Sequence, residues 1–125
     1  MKLTPDCVRD ILLTVEDNEF GNCLTLDDLC EKLPKYTQNE IHYACLKLNE
    51  GGYLDSDVIN LCGQSMPGIL VNDLTFTGHE FLENIKSPTN WSKIMNGCKK
   101  VGTFSLPFVK EIAVQVIKKS ISDGF

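Results

Sequence analysis

Apolar side chains recur at intervals of three and four near the start of the chain: Val8, Ile11, Leu12 and Val15. That spacing lines one face of a helix and predicts α-helix from about residue 5 to 17, stopping near Asn18 and Gly21. Thr4 is placed to cap it, Pro5 suits the first helical position, and Asp6 complements the positive end of the helix dipole. A short strand is expected at Cys23-Leu24-Thr25. Thr25-x-x-Asp28 then opens a brief helix, Leu26 to Leu33, which Pro34 ends. Thr37-x-x-Glu40 reads as a capping box, in which each side chain satisfies the other's orphan backbone N–H. It starts a third helix, 38–50, with Ile41, Cys45 and Leu48 toward the core, and Gly51-Gly52 stops it.

Two strand-like runs follow, Tyr53 to Leu61 and Ile69 to Leu74, with Gly63 to Gly68 between them as a hairpin loop. Thr77-x-x-Glu80 reads as another capping box and opens a fourth helix bearing Phe81, Leu82 and Ile85 on one face. After the break at Ser87-Pro88, the spacing of Trp91, Ile94, Met95, Cys98 and Val101 predicts a fifth helix, with Lys93, Lys99 and Lys100 largely opposite. Ser105 and Pro107 open a last helix running to about Ile121. Its apolar face holds Val109, Ile112, Ala113, Val116 and Ile117, and Gln115, Lys118 and Lys119 fall across from it.

Helix, short strand, two helices, β-hairpin and helix is the order of an α+β winged helix-turn-helix. The helices at 26–33 and 38–50 form the helix-turn-helix pair, with Pro34-Lys35-Tyr36 as the turn and the hairpin at 53–74 as the wing. The expected organisation is a winged-helix domain, 1–86, and a C-terminal two-helix extension, 87–125.

At 125 residues and 42% hydrophobic content the chain suits one domain with a real core. No apolar run approaches the length of a membrane span, and the opening residues lack a signal-peptide h-region, so a cytoplasmic setting is expected. The six cysteines contain no Cys-x-x-Cys pair. Cys30, Cys45 and Cys98 fall on apolar stripes, which makes them core fillers rather than metal or redox groups. Charge changes the picture more. Against a formal net charge of −5, residues 1–85 hold 5 basic and 15 acidic side chains, and residues 86–125 hold 7 basic and 2 acidic.

Four segments together resemble a known family. They are Met1 to Leu13, Leu29 to Tyr36, Asn72 to Leu82, and Lys100-Val101-Gly102-Thr103-Phe104-Ser105-Leu106. The chain is similar over nearly its whole length to small bacterial and prophage proteins of the domain-of-unknown-function 2513 family. The resemblance implies a winged-helix-like fold and a cytoplasmic bacterial or phage setting. It brings no catalytic or binding residues with it.

Two functions compete on the residues themselves, and DNA-associated regulation leads. As a DNA-associated regulator, the chain would read double-stranded DNA with Gln38, Asn39, His42, Tyr43 and Lys47 on the third helix, while Lys99 and Lys100 anchor phosphates. Against this, no Lys or Arg occurs from Leu48 to Ile85, a span that includes the whole wing, and phosphate neutralisation supplies most non-specific affinity. The alternative is an acidic winged-helix interaction module that binds a host or phage protein without touching DNA. The last helix packs on its own domain or forms a homodimer through Val109, Ile112, Ala113, Val116 and Ile117. Membrane adsorption by its lysine-bearing face is the least favoured use. No phosphate loop, His-Glu-x-x-His or Gly-x-Ser-x-Gly motif is present, so no enzymatic activity, cofactor or metal is expected.

Overall fold

The first unit is assembled by its helix ends. In the computed structural model, which describes residues 1–60, 63 and 66–123, helix α1 (Pro5–Asp17) begins on Pro5 and buries Cys7, Val8, Ile11, Leu12 and Val15. Thr4 occupies the N-cap position, but its side chain makes no capping bond; the fixed φ of Pro5 starts the helix instead. Strand β1 (Leu24–Thr25) runs directly into α2 (Leu26–Lys32). Thr25 Oγ1 accepts from the Asp28 N–H at 3.1 Å, and Asp28 Oδ2 accepts from the Thr25 N–H at 3.0 Å. The same reciprocal box starts α3 (Gln38–Glu50), through Thr37 and Glu40 at 3.1 and 3.2 Å.

Helix α3 ends in a Schellman arrangement. The Tyr53 N–H reaches back to the Leu48 carbonyl at 2.9 Å and the Gly52 N–H to Asn49 at 3.2 Å. Gly52 takes the φ of +80° that this reversal needs. The chain then enters β2 (Leu54–Ile59) and returns as β3 (Gly68–Leu74). The antiparallel sheet has the order β1-β3-β2, so β2 lies at one edge. Leu54 pairs with Leu74, Asp55 with Asp73, Ser56 with Val71 and Val58 with Ile69. Between the second and third of these pairs the register slips by one, leaving Asn72 as the extra residue of a bulge. Leu61 at the end of the expected first strand, Gln64 and Ser65 of the expected hairpin loop, and Cys62 between them lie outside the described residues.

Helix α4 (Phe76–Ile85) starts earlier than the sequence pattern indicates. Thr77 lies inside the helix, so the Thr77-x-x-Glu80 capping box is not the start. Thr75 does the capping: its Oγ1 accepts from the Gly78 N–H at 3.0 Å and donates to the Gly52 carbonyl at 2.5 Å. The Thr75 N–H also donates to the Tyr53 carbonyl at 3.1 Å. The helix start is therefore fixed by a tertiary contact with the segment entering β2. Gly78 is required there, because a Cβ would sit 2.1 Å from the Tyr53 carbonyl oxygen.

The chain divides into two compact units, residues 1–79 and 80–125, the division falling within α4. The core of the first comprises the α1 stripe with Leu24, Leu29, Ile41, Ala44, Cys45, Leu48, Leu54, Ile69, Val71 and Leu74. Helix α1 packs on α3 and β3, and α2 packs on α3. In the second unit, α5 (Pro88–Val101) starts with Ser87 capping the Asn90 N–H at 3.3 Å and ends at Gly102. It packs against α6 (Leu106–Asp123), and Trp91, Ile94, Cys98, Val109 and Ala113 are buried. Val101 departs from the expected apolar stripe: it is 65% exposed, as the last residue of α5 before the left-handed Gly102 cap. The architecture is thus α+β, six helices and one three-stranded antiparallel sheet among the described residues, compatible with the element order of a winged helix.

Candidate functional site

Helix α3 carries five of the side chains singled out for DNA, and α5 carries the other two, Lys99 and Lys100. Gln38 and Asn39 are exposed in the first turn of α3, where the helix dipole is positive. Tyr43 and Lys47, one turn apart, are half-buried; the Lys47 ammonium lies 5.6 Å from the Tyr43 ring centre. Lys47 Nζ also donates to Glu50 Oε2 at 2.9 Å, and this partner holds the lysine pKa above its ordinary value. Its charge is therefore already matched within the helix.

His42 differs from expectation. It is only 8% exposed, and its Nε2 donates to the Pro67 carbonyl oxygen at 2.7 Å. The helix periodicity places it beside the polar face, but the returning hairpin covers it, a contact 25 residues away in sequence. Lys99 and Lys100 are exposed in the last turn of α5, in the second unit.

A second cluster escaped the sequence reading. Tyr36 O–H donates to Asp10 Oδ2 at 2.5 Å, and Lys35 Nζ stands 3.1 Å from the same oxygen. The turn between α2 and α3 is thereby tied to α1. Burial, and then the bond to the Asp10 carboxylate, push the Tyr36 phenol pKa upward. Tyrosine two residues after a helix-ending proline was the available signal, but its partner lies 26 positions away.

The hairpin surface is acidic and apolar. Asp55 and Asp57 are exposed and Asp73 is half-buried, and Asp55 and Asp73 face each other directly across the strands. Asp57 Oδ2 accepts from Asn72 Nδ2 at 3.2 Å, and Asp73 Oδ1 from the Leu74 N–H at 2.7 Å. The Cys23 thiol donates to Asn72 Oδ1 at 3.1 Å. Toward the tip, Val58, Ile59 and Met66 are 40%, 44% and 48% exposed. Ser56 Oγ is buried and has no hydrogen-bond partner among the described residues.

The α6 residues assigned to self-association are divided. Val109 and Ala113 are fully buried, whereas Ile112, Val116 and Ile117 are half-buried. Ile112 Cγ2 would lie 3.2 Å from a Cβ at Gly97, so much of this face is taken up by α5. Lys93, Val116, Lys119 and Ser120 line a cavity of about 390 Å³ between the two helices. Cys7, Cys45 and Cys98 are buried thiols, and burial pushes Cys7 and Cys45 up to about 12. Among the described residues no group of His, Cys, Asp and Glu is arranged to hold a metal, and no helix is long and apolar enough to cross a membrane.

These features define a small α+β protein whose polar chemistry lies on surfaces, chiefly along α3 and the β2–β3 hairpin. Within that class the chain belongs to the family described as hypothetical protein (DUF2513), whose model matches residues 2–105 and so reaches the start of α6. It is similar to an uncharacterized protein of Haemophilus influenzae, 24% identical over 123 residues, a match spanning 98% of this chain and 100% of the relative. No solved structure matches.

Proposed function

We propose that this chain is a bacterial or phage winged-helix protein that recognises another protein through its acidic wing. In this reading α2 and α3 are the helix-turn-helix, and β2–β3 is the wing. The observation that carries it is the hairpin surface: Asp55, Asp57 and Asp73 together with exposed Val58, Ile59 and Met66, and no Lys or Arg from Leu48 to Ile85. A wing that docks on DNA places cations against phosphates, and this one sets carboxylates and aliphatic groups there instead. Exposed apolar groups beside charges are the composition of a protein-binding surface.

A DNA-associated regulator is the second reading, favoured by Gln38 and Asn39 standing exposed at the start of α3. Both side chains pair well with adenine edges. Capture from a random duplex library across a salt series separates the two. The interaction reading expects no enriched sequence even at low salt. Enrichment that disappears with Gln38→Ala and Asn39→Ala overturns it and establishes the DNA reading.

A further inference from the structure

We infer that the β2 edge of the hairpin accepts an extended, basic segment of a partner protein as an added antiparallel or parallel strand. This rests on the wing acting as a protein-binding surface and names the chemistry and the geometry of what it binds. Three observations converge on the strand. First, β2 is the outer strand of the order β1-β3-β2, six residues long, so one of its edges offers backbone N–H and C=O groups with no strand partner among the described residues. Such an edge is a template for strand addition. The opposite edge, β1, has two residues and leads at once into α2, too short to template anything.

Second, the charge on this hairpin is unbalanced. Asp55 and Asp73 are a direct cross-strand pair, and like charges in that position repel. Asp57 stands on the same strand two positions from Asp55, hydrogen-bonded only by the neutral Asn72 amide among the contacts described above. Lysines or arginines at alternate positions of an added strand fall on one face, with the spacing of Asp55 and Asp57. Third, exposed Val58 and Ile59 continue the same strand toward the tip on opposite faces, Ile59 beyond the two carboxylates and Val58 on the face where the intervening side chains of the partner fall.

The charges also decide against other occupants. A second copy pairing β2 with β2 would bring carboxylates of both strands together. The chain's own lysines beyond residue 85 lie on or beside helices α4, α5 and α6, and so offer no extended basic segment. Charged residues do protect edges from aggregation, which accounts for Asp55 and Asp57. It does not account for leaving Val58 and Ile59 exposed on the same strand.

The test uses the full chain and a fluorescent eight-residue peptide of alternating lysine and valine, read by anisotropy and by hydrogen exchange of the β2 amides. A second peptide has the same sequence, with alternate backbone nitrogens methylated along one edge, so it keeps its charge but cannot complete a ladder. Strand addition expects the first peptide to bind and to protect amides within 54–59, and the methylated peptide to bind at least tenfold more weakly. Asp55→Asn with Asp57→Asn, which keeps side-chain shape, should weaken the first peptide by at least tenfold while circular dichroism stays unchanged. Equal affinity for both peptides without new β2 protection overturns strand addition and leaves the wing as a charged binding surface. β2 protection that grows with protein concentration in the absence of peptide marks pairing between copies and also overturns it. If neither peptide binds, the inference fails, and the duplex-library capture still decides separately on the reading beneath it.

Discussion

Thr75 and Gly78 together hold the start of α4 against the segment that enters β2. Thr75 Oγ1 joins the Gly78 N–H to the Gly52 carbonyl, while the missing Cβ of Gly78 makes room for the Tyr53 carbonyl. Thr75→Ala should therefore cost about 1–2 kcal/mol in urea denaturation, the usual loss for a cap, whereas Thr77→Ala stays within about 0.5 kcal/mol. Gly78→Ala has no soft neighbour to displace, and overpacking of this kind costs about 1–3 kcal/mol or more. A larger loss at Thr77 than at Thr75 would return the cap to Thr77. The sequence pattern favoured Thr77 because its third following residue is Glu80, which completes a recognisable box; Thr75 is followed by a glycine with no side chain to reciprocate. What selects Thr75 is a carbonyl 23 positions earlier, and no local pattern encodes it. His42 is the same case, since Pro67 settles its environment. The buried thiols carry a residue-scale prediction with a definite sign. Cys7 and Cys45, raised from 9.0 to about 12, hold their protons more tightly folded than unfolded. Their contribution to stability is complete below pH 9 and is lost as pH rises toward 12. Cys7→Ala with Cys45→Ala should flatten the fall of the denaturation midpoint over that window, whatever the two changes cost at pH 7.

At the scale of elements, the helices of the first unit were legible because their signals are local. Two reciprocal capping boxes, Thr25 with Asp28 and Thr37 with Glu40, start α2 and α3 where the residues indicate. Pro5 starts α1, and Gly51-Gly52 closes α3. The strands were legible as runs but not in register, because the bulge at Asn72 depends on how β2 and β3 meet. That register matters for the proposed function, since it puts Asp55 opposite Asp73. Without the slip at Asn72, the face shared by the three carboxylates would be arranged differently. Relieving the repulsion should show in the isolated protein: Asp55→Asn is expected to stabilise by about 0.2–1 kcal/mol, with the larger gain at low salt. A destabilised Asp55→Asn protein would mean that the Asp55 carboxylate has a favourable partner, and the argument for a basic strand would lose its electrostatic support. In the proposed reading the hairpin thus links stability to recognition. The same carboxylate that weakens the free sheet is the one a cationic partner would neutralise.

Across the whole molecule, the charge separates by unit. Residues 1–79 hold 5 basic and 13 acidic side chains, and residues 80–125 hold 7 and 4. A regulator that pairs through its last helix could place the basic unit of each copy on DNA, but that arrangement needs the α6 face to be available. Val109 and Ala113 are already fully buried in the single chain, and Ile112 meets α5 at Gly97. These residues therefore serve the folded chain first. Val109→Ala removes two methyl groups from a closed site and leaves a small cavity, a change expected to cost about 1–3 kcal/mol through lost burial and packing. If Val109 is a core residue, that loss appears in chemical denaturation and is independent of protein concentration. Sedimentation velocity should then give the same mass for the variant and the parent across a hundredfold dilution. If Val109 is instead an interface residue, destabilisation fades on dilution as the parent itself dissociates, and the variant has the smaller mass. The first outcome assigns Val109 to the folded chain; if the common mass is also that of one chain, the pairing that DNA binding by the basic unit needs is lost, and the proposed recognition rests on the acidic hairpin of a single chain.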